Sequence, residues 1–351
     1  MTALHRLCLA LGLFALIGCG SGSSKPRVAF VSNNPEAFWT IAQAGAKAAE
    51  KETDVKLYFR MPTSGDAAVQ KEVIDTVINQ GVKAVSVSVI DPKNQRDYLD
   101  QIAGKVKLLT VDNDAPNTRR IAYLGTDNYN AGRAVGKLVK EAMPDGGIVA
   151  IFVGQLEALN ARQRRQGVID ELAGREPPQD ITDFQPSPDG ETFGKYKLFK
   201  RTLLDQPEGA RKALENAVDV LSQVPADENL CMVGLWAYNP PQCLAALKDK
   251  VKDKARLNRI KIVGFDEDFA TLDGIQSGEI YATVVQDPYN FGYESVKIMA
   301  ALAKGEEVNL PKDGIRFIPH RIIMKEAGER DGLKRLAVRE FRAELEKLLG
   351  K

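Results

Sequence analysis

Val28-Ala29-Phe30-Val31-Ser32-Asn33-Asn34-Pro35-Glu36-Ala37-Phe38-Trp39 passes from an apolar run through two amides and a proline into two adjacent aromatics. An apolar run without polar alternation reads as a strand covered on both faces, as in parallel sheets. The amide–proline segment reads as the turn that leaves the strand. The aromatics open a helical pattern over 38–51. One strand followed by one helix is the unit of an α/β sheet.

That unit recurs along the chain. Strand-like runs lie at Val55–Phe59, Ala84–Ile90, Leu108–Asp112, Ile121–Gly125, Ile148–Gly154, Leu230–Ala237, Ile260–Phe265 and Tyr281–Gln286. Helical patterns fall between and after them, near 66–80, 93–103, 129–142, 159–173, 208–223, 241–250, 268–276 and 290–303. Regular βα alternation predicts a doubly wound α/β architecture. A weak internal repeat supports two copies of it. Val31 and Gly45 match Val153 and Gly167 at an offset of 122; Ile90-Asp91-Pro92 matches Tyr238-Asn239-Pro240 at 148; Val111-Asp112 matches Phe265-Asp266 at 154. The irregular Pro/Gly/Asp-rich stretch Arg175–Pro207 accounts for the main change of offset. The prediction is two similar doubly wound parallel-sheet lobes. The tail, Leu333 to Leu349, reads as an amphipathic helix packed on its own lobe.

The 351 residues carry 48 Lys and Arg against 47 Asp and Glu, so no basic footprint points to nucleic acid. Two histidines and four cysteines without CxxC spacing argue against a zinc site, and no other metal or cofactor motif stands out. No nucleophile elbow, phosphate loop or HExxH motif is present, which argues against an enzyme. His5 and Arg6 precede an apolar run from Leu7 to Ile17 that is shorter than the ~20 residues of a membrane span. Residues 1–18 therefore read as a signal peptide. Leu16-Ile17-Gly18-Cys19 resembles the lipobox of bacterial lipoproteins, which implies lipid on Cys19. Residues 19–26 then form a lipidated tether, flexible through Gly20–Ser24. Cys231 and Cys243 are expected as buried free thiols.

Ligands of doubly wound sheets bind beyond the carboxyl ends of the strands, so the residues there carry the chemistry. Phe38 and Trp39 are neighbours and cannot both fill one core face of a helix, so at least one faces a cavity. A flat aromatic wall suits the apolar face of a pyranose ring, with polar groups around the rim for its hydroxyls. Asn34 is either such a rim group or a helix cap. Asp112 and Asp266 end matching strands; each is a turn former or a carboxylate able to accept two hydroxyls of a vicinal diol. Asn160-Ala161-Arg162-Gln163-Arg164-Arg165 opens a helix. Its arginines suit a solvated face, but Arg162, nearest the strand end, could hold two ligand oxygens at once. Trp236 and Asn239 follow the next strand, and Gln286 closes the last.

The amide–proline–aromatic opening is followed in order by Thr110-Val111-Asp112, Gly125-Thr126-Asp127-Asn128 with Gly132, Asn160-Ala161-Arg162, Val263-Gly264-Phe265-Asp266 and Ala282-Thr283-Val284-Val285-Gln286. The ordered set resembles the periplasmic sugar-binding proteins of ABC importers, the ribose/galactose-binding group of the type I fold. The resemblance covers about residues 27–325. It implies a sugar sandwiched by Phe38 and Trp39, with hydroxyls met by Asn34, Asp112, Arg162, Asn239, Asp266 and Gln286. Asn113 stands where ribose binders carry arginine, so ribose itself is not implied.

The resemblance also implies lobes of 27–126 plus 288–315 and of 127–287 plus 316–351, joined by a three-strand hinge. Its crossings fall near Gly125–Asn128, Gln286–Pro288 and Ile315–Pro319. The implied protein is an exported, lipid-anchored monomer that delivers a small sugar or polyol to a membrane permease. Presentation of that ligand to a membrane sensor or chemoreceptor is the alternative.

Overall fold

The computed structural model describes residues 25–330 and 332–350. The expected signal peptide, Cys19 and the Gly20–Ser24 segment lie outside them.

The chain alternates strands and helices. It runs β1 (Arg27–Val31), α1 (Phe38–Thr53), β2 (Lys56–Arg60), α2 (Ala67–Asn79), β3 (Ala84–Val87), α3 (Arg96–Ala103), β4 (Lys107–Val111) and β5 (Ala122–Gly125). It continues through α4 (Asn128–Ala142), β6 (Gly147–Val153), α5 (Leu159–Ala173), β7 (Thr192–Phe193), β8 (Tyr196–Leu198) and β9 (Leu203–Leu204). Then come α6 (Ala210–Gln223), β10 (Leu230–Gly234), α7 (Asn239–Lys250), α8 (Lys254–Arg259), β11 (Ile260–Phe265), α9 (Phe269–Ser277) and β12 (Ala282–Val285). The last part holds α10 (Pro288–Lys304), β13 (Ile315–Phe317), β14 (Arg321–Met324), β15 (Gly328–Arg330), β16 (Leu333–Ala337) and α11 (Val338–Leu348).

Two sheets result. The first, ordered β13-β5-β4-β3-β1-β2, is parallel throughout. The second is ordered β15-β16-β14-β12-β11-β10-β6-β8-β7, with β9 also on β6. Its centre, β12-β11-β10-β6-β8, is parallel and repeats the order β5-β4-β3-β1-β2 of the first. The strands matched by the internal repeat occupy matching places, β1 with β6, β3 with β10 and β4 with β11. In both lobes the connections reverse beside the first strand, at β1/β3 and β6/β10, which is where such sheets open a ligand crevice.

The β-branched core follows from this layering. β1, β3 and β10 are buried along nearly their whole length, with apolar clusters on both faces of each sheet. Cys231 and Cys243 are both buried and free. They belong to clusters on opposite faces of the second sheet, which keeps them apart.

Glycine sets the placement of the two helices that begin at the crevice. A Cβ on Gly45 of α1 would sit 1.9 Å from the Tyr289 carbonyl oxygen of α10, and one on Gly292 of α10 would sit 1.9 Å from that of Ala42. In the second lobe, Gly132 of α4 and Gly167 of α5 face the backbone of each other's helix; a Cβ on either would sit 2.2 Å from a carbonyl oxygen, that of Arg164 or of Tyr129 respectively. The same close crossing is thus made twice. It fixes the starts of α1 and α5.

Two expectations need correction. The stretch Arg175–Pro207 is not wholly irregular: its β8 and β9 both extend β6, and β7 pairs with β8. The tail is not one helix, because Leu333–Ala337 form β16 beside β14 before α11 begins. The sheet edge offered by β14 satisfies their backbone groups, which outweighs the weak helical pattern. β13 pairs with β5 along its length.

Candidate ligand-binding site

Asp112 follows β4 and Asp266 follows β11. Both hold left-handed backbone, with φ 60° and 69°. That conformation costs an L-residue about 1–2 kcal/mol, and aspartate tolerates it better than most. The two turns are clamped alike. The Asp112 N–H donates to Leu124 at 3.0 Å and the Asp266 N–H to Val284 at 2.8 Å. The Asp112 carbonyl accepts from the Tyr123 hydroxyl, and that of Asp266 from the Thr283 hydroxyl, both at 2.9 Å. Both side chains line one hollow between the lobes.

The hollow encloses about 380 Å³ of atom-free space, mouth included. From the first lobe, Asn33, Asn34, Glu36, Phe38 and Trp39 line it with Asp112. From the second come Asn160, Arg164, Trp236, Ala237, Tyr238 and Asp266, with Gln286 at a crossing. Among the described residues, no group of three or more His, Cys, Asp or Glu is placed to hold a metal ion.

Each carboxylate is only partly satisfied. Asp112 accepts from Ser88 Oγ at 2.9 Å and Asn160 Nδ2 at 3.5 Å, and lies 3.7 Å from Arg164 Nη2. Asp266 accepts from Gln286 Nε2 at 2.9 Å. Burial raises both carboxyls above the usual range, Asp266 to about 6, against the pull of the Arg164 guanidinium. Arg164 is held on three sides: Nε donates to Asn128 Oδ1 at 2.8 Å, Nη1 to the Leu235 carbonyl at 3.1 Å, and its plane lies 4.1 Å over Phe265. This leaves Nη2 without a hydrogen bond.

Trp39 is packed and also lines the hollow. Its indole N–H donates to Asn33 and Asn34 Oδ1 at 3.1 and 3.0 Å, and Phe38 meets it edge-on at 5.0 Å. Asn34 also accepts the Glu36 N–H at 3.1 Å; it builds the turn and faces the cavity as well. Trp236 and Tyr238 form a second edge-on pair.

Arg162 and Asn239 are not brought to the hollow. Asn160 and Arg164 are four residues apart on α5 and share a face; Arg162 lies halfway between them in sequence, so it turns off that face. The correction is Arg164 for Arg162, and the helical spacing from Asn160 was the signal that could have found it. Asn239 is fully buried, accepting the Trp236 N–H at 2.9 Å and donating to Asp205 at 2.8 Å. It holds the Trp236–Tyr238 turn instead of facing the cavity. Asn33, Glu36, Asn160 and Tyr238 were not singled out as site residues, because amides, a loop acid and a tyrosine carry no motif of their own. Asn113 also lies outside the hollow: its Oδ1 accepts the Asn160 N–H at 2.9 Å, joining the lobes.

Among the described residues, four polar atoms of lining residues are buried without a hydrogen-bond partner: the donors Arg164 Nη2 and Trp236 Nε1, and the acceptors Asn160 Oδ1 and Gln286 Oε1. Native interiors seldom leave such atoms unmatched. Donors and acceptors mixed around aromatic faces call for a compact molecule that is polar on its edges and apolar on its faces.

A family model described as periplasmic binding protein domain matches residues 28–307. The ribose import binding protein RbsB of Haemophilus influenzae is 22% identical over 301 residues, covering 84% of this chain and 92% of that protein. The xylitol-binding protein of Mycolicibacterium smegmatis is 22% identical over 342 residues, covering 93% of this chain and 90% of that protein. Among solved structures, GanP, a glucose-galactose binding protein from Geobacillus stearothermophilus, superposes with a TM-score of 0.71 at 25% identity, covering 86% of this chain and 98% of GanP.

Proposed function

We propose that this chain, which belongs to the periplasmic binding protein domain family, captures a small sugar or polyol between its lobes and delivers it to an ABC permease. The four unmatched polar atoms around the aspartate pair carry this reading. Asp112 and Asp266 accept hydroxyls of the ligand. Arg164 and Trp236 donate to its oxygens, while Asn160 and Gln286 accept further hydroxyls. The Phe38, Trp39 and Trp236 rings cover its C–H faces. Asn34 frames the turn that presents the first two rings.

Capture works by closure. A ligand favours the closed form only by contacts it gains there, and residues on both lobes supply them. The lobes comprise 27–126 plus 288–317 and 127–287 plus 318–351. The ribose and xylitol named in two relatives are compounds of this chemical class. The protein works outside the cytoplasm, anchored through lipidated Cys19, and performs no chemistry on the ligand.

A thermal-shift screen of pentoses, hexoses and polyols tests the reading. A true ligand at ~100 times its Kd stabilises by about 2.7 kcal/mol, or about 5–10 °C for a chain of this kind. No response to any polyhydroxy compound would refute it.

A further inference from the structure

A second hollow opens beside the first and shares Glu36, Phe38, Ala237 and Tyr238 with it. It encloses about 610 Å³ of atom-free space, mouth included. Three of its lining residues, Glu36, Glu267 and Asp268, are carboxylates, and none is lysine, arginine or histidine. Glu267 is only 5% exposed, and neither of its carboxylate oxygens has a hydrogen-bond partner among the described residues. Arg321, whose charge acts on Glu267 from β14, donates through Nη1 to Glu344 at 2.9 Å and keeps a buried Nε without a hydrogen bond among the described residues. A buried carboxyl without a partner is costly until something supplies one. Burial holds the Glu267 carboxyl well above the usual range, and the charge of Asp266 adds to the effect. Burial and then the charge of Asp268 raise Glu36 in the same sense.

A neutral sugar ring in this annex would leave that concentration of acid uncompensated. An ammonium group answers it, with three donors for the carboxylates and a positive charge for the faces of Phe38 and Tyr238. We propose that the annex receives the ammonium group of the bound molecule, so that the ligand is an amino sugar or amino polyol. This deepens the sugar-binding reading and rests on it.

Isothermal titration with matched pairs tests the assignment: glucosamine against glucose, galactosamine against galactose, and glucamine against sorbitol. In at least one pair the amine binds about tenfold tighter or more, the effect of one charge-assisted hydrogen bond. Glu267→Gln, which lies outside the sugar hollow, removes that advantage and keeps the neutral partner's affinity within about twofold. Asp268→Asn reduces the advantage too, while an asparagine still caps α9. Neutral binding with no amine preference in any pair, or a preference that survives both substitutions, overturns the annex and leaves the sugar reading standing. Failure of every compound to bind overturns both.

Discussion

Replacing Arg164 by methionine removes the cation at the centre of the site and keeps most of its volume over the Phe265 ring. Wild-type Arg164 is 2% exposed, and its Nη2 lies 3.7 Å from Asp112 without a hydrogen bond of its own. A hydrogen bond from a charged donor to a ligand oxygen contributes about 1.5–3 kcal/mol, so affinity falls about 10- to 150-fold. Breaking one side of a buried pair costs about 3–5 kcal/mol. Here the lower end applies, because burial has already raised Asp112 and it escapes by taking up a proton. The melting temperature therefore drops about 6–12 °C. Arg162→Ala is the control, expected to change affinity no more than about twofold. Isothermal titration of both variants with the best ligand of the screen, beside calorimetric melting, reads every part. Unchanged affinity in Arg164→Met, or a large loss in Arg162→Ala, would refute the assignment.

Three further outcomes are expected. The folded Asp266 carboxyl sits above its unfolded value, so its contribution to the stability of the empty protein is full at low pH and lost as pH rises through about 6. Ligand hydroxyls donate to the ionised form, so affinity weakens as pH falls below about 6; titration at pH 7.5 and 5 checks the sign. Gly45→Ala lowers the melting temperature although alanine favours helix by about 1 kcal/mol, because its Cβ would meet the Tyr289 carbonyl oxygen at 1.9 Å. A rise in melting temperature would show that α1 and α10 separate freely. Cys19→Ser shifts the protein from the membrane fraction to the soluble fraction on cell fractionation; an unchanged distribution would rule out a lipid anchor at that residue.

The fold was legible because both lobes are built from buried parallel strands whose apolar runs need no partner to be recognised. Even the weak repeat had physical content: Asp112 and Asp266 make the same left-handed turn, and Gly45 and Gly167 make the same helix crossing. Additions at the sheet edges were less legible. β7, β8 and β9 span only two or three residues each, and β16 exists because β14 offers it an edge. Within the site, residues at strand ends could be read directly. Those on the α5 face need one step more, since choosing among three nearby arginines takes the helical spacing from Asn160. Asn239 reads as a ligand contact from its place after a strand and from the resemblance, but a buried Asp205 supplied from a distant stretch claims its amide.

The central claim is tested most directly by crystallising the protein with the compound that stabilises it most. The account predicts one ring or polyol chain between the lobes, with hydroxyls within about 3.2 Å of the carboxylates of Asp112 and Asp266 and an oxygen facing Arg164 Nη2. Ligand density elsewhere on the molecule, with the aspartate pair untouched, would contradict it.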